Sequence, residues 1–198
     1  GATSSEIESW ISELADFVRG YQLEKYGFCQ LITTSSASFA PSGSLADVIY
    51  NHPKLDFATT HLYTGPGMNA PRDTTRVVSE VAMALNYAYW QIKDRRPYTD
   101  SESGPIEMWI GSASFDAEFL HNVSWAHLAG GGAGTGMRWP YRAPHILTDE
   151  MLDALGRIAK FTTVFDFTNF VPETIFHNLQ PLDDYEAVGI GDQKRFLI

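Results

Sequence analysis

Apolar positions along the chain switch between two periods. Ile7, Trp10, Ile11, Leu14, Phe17, Val18 and Tyr21 recur at helical spacing. Thr3-x-x-Glu6 just ahead of them has the form of a capping box, so the pattern predicts a first helix over residues 4–24. Phe28–Ser36 is a short apolar and β-branched run closed by small polar residues, which reads as a buried strand. The stretch from Phe39 to Pro53 is rich in Pro, Gly, Ser and Asn and reads mostly as loop, with a turn of helix at Leu45–Tyr50. Leu55–Tyr63 is the second strand, and Gly65–Pro71 a loop. Asp73 or Thr74 caps a long helix to about Lys93, with Val77, Val78, Val81, Leu85, Tyr89 and Ile92 on its inner face.

Pro97–Glu102 is a third, short strand, and Ser103–Ser114 a loop. Ser114 caps a helix to about Ala129, with Asp116 and Glu118 in the first turn, where the macrodipole favours acids. A glycine run, Gly130–Gly136, leads into a fourth strand at Thr135–Trp139. Thr148 caps the last helix, whose apolar stripe is Met151, Leu152, Leu155 and Ile158. The order α, β, β, α, β, α, β, α implies an α/β fold with parallel strands covered by helices. A complete eight-fold barrel takes about 250 residues, so four such units make half a barrel or a small open parallel sheet. Glu186–Ile190 and Lys194–Ile198 read as two further strands around a turn at Gly191-Asp192. The second of these apolar runs carries no polar tail, which suggests part of a longer protein.

Composition narrows the function classes. The chain has 198 residues, 44% of them hydrophobic, which excludes wholesale disorder. No run reaches the roughly 18 apolar residues of a membrane-spanning helix, and no signal segment is visible. The formal net charge of −10 repels phosphate backbones and argues against nucleic acid as a partner. The single cysteine, Cys29, excludes an intrachain disulfide and a cysteine-based zinc cage. No GxSxG elbow or HExxH is present, and His121 and His127 stand six apart, so neither a metal nor a cofactor is expected. The glycine run lacks the Gly-Lys-Ser/Thr ending of a phosphate loop and precedes a strand rather than a helix. It reads as a place where backbones approach closely and turn sharply.

In parallel α/β folds, function gathers at the strand ends that feed helices. Here those ends are polar. The second strand closes on His61-Leu-Tyr63, and alternation puts His61 and Tyr63 on one face. The third closes on Asp100-Ser-Glu102, with Asp100 and Glu102 sharing a face by the same rule. The fourth closes on Arg138-Trp139-Pro-Tyr141. Taken singly, Glu102 can cap a loop, His61 can be a structural histidine and Trp139 can be core. Taken together they make one rim of an acid, an imidazole, a phenol and an indole. That set suits a sugar, whose apolar face stacks on aromatic rings while polar groups read its hydroxyls.

These residues, in this order, resemble the C-terminal half of a retaining glycoside hydrolase barrel of clan A, similar to the family 5 cellulases and mannanases. The resemblance covers about residues 5–170. In that family a His-x-Tyr closes strand six, a glutamate strand seven and a tryptophan strand eight. His61-Leu-Tyr63, Asp100-Ser-Glu102-Ser-Gly104 and Met137-Arg-Trp139 stand at the matching places. The passage His121–Gly134 is similar to the helix leading into strand eight. The resemblance implies a partial (β/α)8 barrel over residues 1–172, holding strands five to eight with outer helices. Residues 173–198 would then be a linker and the first strands of a following β domain. It implies Glu102 as nucleophile, Tyr63 bonded to it, His61 as substrate-binding and Trp139 as the floor of a sugar subsite. Asp100 and Arg138 belong to the same substrate-binding rim. It also implies an oligosaccharide or polysaccharide as ligand, and secretion is typical of such enzymes.

One departure stands out. The family's acid/base is an Asn-Glu pair closing strand four, and no Asn-Glu dipeptide occurs in this chain. By the resemblance that carboxyl lies upstream of residue 1. Asp56, Asp100 and Glu107 are the candidate substitutes, and none has the family's position. Two function classes stay open: the nucleophile-bearing portion of a glycosidase cleaving β-glycosidic bonds, inactive alone, and a non-catalytic carbohydrate-binding or interaction domain. An unrelated α/β domain without a sugar site is the third. Half a barrel would leave open edges and an apolar lumen face, so it would pair with a missing N-terminal half or self-associate.

Overall fold

The computed structural model describes residues 1–36, 41–63, 85–104, 116–134, 147–167, 169, 171–172, 190–191 and 196–197. Helix α1 spans Ser4–Tyr26. Its capping box forms as expected: the Glu6 N–H donates to Thr3 Oγ1 at 3.3 Å, and the Thr3 N–H donates to Glu6 Oε2 at 2.7 Å. Gly27 ends it in the left-handed region, at φ 74°, and donates its N–H to the Leu23 carbonyl. Ile11 and Ala15 are buried, and Ile11 packs with Val48 and Leu55.

Helix α2 spans Gly43–Asn51, where the Pro- and Gly-rich composition gave only a turn. Ala46, Val48, Ile49 and Tyr50 bury an apolar face, and that tertiary packing overrides the breakers at its start. Strand β1 is Ala58–Tyr63, and helix α3 is described over residues 85–91. Strand β2 is Tyr98–Gly104, helix α4 is Asp116–Ala129 and helix α5 is Asp149–Val164. Thr148 caps α5 by accepting from the Met151 N–H at 3.3 Å. On α5 the buried residues are Met151, Ala154 and Ile158, whereas Leu152 is exposed.

Strands β1 and β2 pair in parallel. A parallel pair needs a crossover, and α3 lies within it. One side of this sheet carries the main core: Ala46, Ile49 and Tyr50 from α2, Leu85 and Ala88 from α3, and Phe119, Val123 and Ala126 from α4 meet Ala58 and Tyr98. Tyr50 and Tyr98 contact edge to face, with ring centroids 5.8 Å apart. Helix α4 is buried on several sides, because α5 covers it as well. Trp125 of α4 packs on Phe161 of α5 at 5.0 Å.

Of the four expected parallel strands, β1 and β2 form the one parallel ladder among the described residues. Residues 28–36 lie beside β1 without entering a ladder. The Asp56 N–H donates to the Ile32 carbonyl at 2.8 Å, but side chains take the neighbouring positions. Thr33 Oγ1 donates to the Phe57 carbonyl at 2.7 Å, Thr59 Oγ1 donates to the Thr34 carbonyl at 3.2 Å, and Asp56 Oδ2 accepts the Ile32 N–H at 2.7 Å. The expected strand at 135–139 lies outside the described residues. On β2's other edge the Ala133 N–H donates to the Tyr98 carbonyl at 2.6 Å. A half-barrel and an open parallel sheet both accommodate this order. Near the C-terminus, β3 (Val171–Pro172), β4 (Ile190–Gly191) and β5 (Phe196–Leu197) form a small antiparallel sheet in that order. Gly191, expected in a turn, pairs with Phe196.

A candidate active site at the end of the parallel pair

The register between β1 and β2 is regular from Ala58↔Tyr98 to Thr60↔Asp100 and then shifts. His61 stands opposite Glu102, so β2 carries one extra residue, Ser101. This is a β-bulge, which re-aims the side chains beyond it. Before the bulge, Tyr98 and Asp100 share the pleat of Ala58 and Thr60, on the helix-covered side. Past it, Glu102 joins the row of His61 and Thr59. Simple alternation puts Asp100 and Glu102 on one face; the bulge separates them.

His61 Nε2 lies 3.8 Å from Glu102 Oε2, and the two side chains are 18% and 23% exposed. An acid and an imidazole thus meet, partly open to solvent, at the C-terminal end of two parallel strands. Tyr63 closes β1 opposite Gly104, one turn of the pleat beyond His61. Nothing of its side chain is described. Arg138 and Trp139 lie outside the described residues, as does Glu107.

Asp100 does not face the rim. It is fully buried, with Oδ2 4.0 Å from Nε2 of His127 on α4. Its N–H donates to His127 Nε2 at 3.0 Å, and its Oδ1 accepts the Glu102 N–H at 3.3 Å. His127 is itself fully buried, and that burial pushes its pKa down to about 4, partly offset by the Val123 carbonyl. Accepting through Nε2 assigns the ring proton to Nδ1. Burial also raises the Tyr50 phenol to about 12 and puts the Tyr98 phenol well above its ordinary value. Both phenols therefore stay neutral behind the sheet.

The glycine run supplies the end of α4. Gly131 sits at φ 94° and donates its N–H to the Leu128 carbonyl at 3.1 Å, while Gly132 donates to the His127 carbonyl at 2.7 Å. These two bonds make a Schellman motif. A Cβ on Gly132 would fall 2.9 Å from His127 Cδ2 and 2.9 Å from its carbonyl oxygen. The glycine is what lets the backbone close over the histidine. His127 is the site residue that spacing rules pass over, because it is neither a metal pair nor at a strand end.

Asp56 stands at the other end of β1. Burial opposes its charge, yet the Ile32 N–H and the Arg19 guanidinium, 2.8 Å away, hold its carboxyl below the usual range. It is committed to structure. Among the described residues no cluster of three His, Cys, Asp or Glu side chains is arranged to hold a metal, and no helix is long and apolar enough to cross a membrane. No family model, curated protein or solved structure matches the chain.

Proposed function

We propose that this chain is the nucleophile-bearing portion of a retaining glycoside hydrolase acting on β-glycosidic bonds of an oligosaccharide or polysaccharide, built as half of a (β/α)8 barrel. Glu102 is the nucleophile and His61 its neighbour in the substrate rim. The observation that carries this reading is the Glu102–His61 juxtaposition at the C-terminal end of a parallel pair, produced by the bulge at Ser101. Retention needs a second carboxyl about 5–5.5 Å from the first, to protonate the leaving oxygen. Asp100 faces His127 and Asp56 pairs with Arg19, so neither supplies it. Among the described residues no partner carboxyl is thus identified, and on this reading the chain alone is expected to bind an unactivated glycoside without turning it over.

The chemistry of the first step suggests the test. An activated fluoro-glycoside carries a leaving group that departs as a stable anion and needs no acid. The Glu102 carboxylate attacks the anomeric carbon, the bond to the leaving group breaks, and the glycosyl ester that forms is trapped because the fluorine slows its hydrolysis. One sugar on the peptide bearing Glu102, absent from Glu102→Gln, supports a nucleophile. Binding of oligosaccharide without any such ester favours the second reading, a non-catalytic carbohydrate-binding domain, which the lack of a partner carboxyl on Glu102 among the described residues also suits.

A further inference from the structure

We propose that His127 is the positioning residue of this site: through Asp100 it holds the β2 bulge in the form that sets Glu102 opposite His61. The role assigned to Glu102 rests on the function proposed above, while the positioning itself is a claim about backbone geometry. A bulge breaks the ladder, so the N–H groups around the extra residue need other acceptors. Two of them, those of Asp100 and Glu102, are met by side chains. The Tyr98 carbonyl points away from β1, toward Ala133, and Asp100, two residues on, points the same way. There its N–H donates to His127 Nε2 at 3.0 Å. The Glu102 N–H turns back to Asp100 Oδ1 at 3.3 Å, and Ser101 Oγ donates to the Thr60 carbonyl at 3.4 Å.

The relay works in one protonation state. His127 accepts only while neutral, since a charged ring would present N–H to N–H. Full burial keeps it so. Its position is set from both sides: Val123 and Ala126 of the same helix belong to the core over Tyr98, and Gly132 folds onto the ring edge. A buried helix residue thereby fixes the rim's acid.

The test is amide hydrogen exchange and ring-to-side-chain proton contacts, read by NMR on the 198-residue chain. His127→Leu removes the acceptor, whereas His127→Gln keeps one. In His127→Leu the Asp100 and Glu102 amides should exchange about tenfold faster than the change in global stability explains, the value of one lost hydrogen bond. The His61–Glu102 proton contact should vanish with them. His127→Gln should restore both. If His127→Leu fails to fold, Asp100→Ala cuts the same relay one link later without touching α4, and should release the Glu102 amide in the same way. Unchanged Glu102 protection with an intact His61–Glu102 contact in the folded variant overturns the proposal. Failure of the fluoro-glycoside to label the wild-type chain would sink the catalytic reading and leave this result standing.

Discussion

At the scale of single residues, the chain invests in buried polar groups whose state is fixed. His127 is the sharpest case. Its folded pKa of about 4 lies below the ordinary 6.5, so the unfolded chain binds the proton more readily between those values. The stability that follows is fully present above about pH 6.5 and is lost as pH falls toward 4. Urea unfolding at pH 5 should therefore give about 2 kcal/mol less stability than at pH 7, an upper figure because the Asp100 carboxylate opposes it when ionised. His127→Gln should flatten that slope; an unchanged slope would mean another group titrates. The residue was not legible as a site residue, because burial and partner are tertiary facts. The neighbouring glycines were legible: their density demanded close approach, and Gly132 closes on that ring.

At the scale of elements, local signals read well and long-range ones did not. The Thr3 capping box and the Thr148 cap lie in the sequence and form where their spacing puts them. Helix α2 was hidden because Pro41 and Gly43 outweigh Leu45–Tyr50 until the sheet buries that face. The run 28–36 has strand composition but no ladder, since Thr33 and Asp56 side chains occupy the groups a ladder would use. The bulge at Ser101 has no sequence signature, so the alternation rule puts Asp100 on the rim beside Glu102, whereas the structure turns it to the helix side. One further element-level contact can be measured. Arg96 donates to the His52 carbonyl at 2.7 Å and the Leu55 carbonyl at 2.9 Å, tying the end of α2 to the start of β2. The same guanidinium holds the Asp94 carboxyl below its ordinary range. Arg96→Ala should cost about 1–3 kcal/mol in chemical denaturation. Arg96→Lys should not recover it, because an ammonium lacks the planar fork. Full recovery by lysine would reduce the contact to simple charge.

At the scale of the whole molecule, α1 presents two apolar faces. Ile11 and Ala15 face inward, while Trp10, Leu14, Phe17 and Tyr21 form an exposed stripe at helical spacing. Half a barrel standing alone would leave such surface uncovered. Light scattering on the 198-residue chain should show concentration-dependent association. Salt should strengthen it by screening the net charge of −10, and Phe17→Glu should weaken it. A monomer at every concentration and salt level would contradict the half-barrel reading. The parallel order of β1 and β2 and their polar ends were legible in the sequence. Of the six rim residues, the structure brings His61 and Glu102 together, turns Asp100 to the helix side and places the Tyr63 backbone at the same edge.

One experiment bears on the chemistry most directly. The chain is incubated with an activated fluoro-glycoside, digested and read by mass spectrometry. A single glycosyl ester on the peptide containing Glu102, lost in Glu102→Gln and unaffected by Asp56→Asn, is the expected result. A sugar attached to a different carboxylate, or none at all with bound oligosaccharide, would contradict Glu102 as the nucleophile.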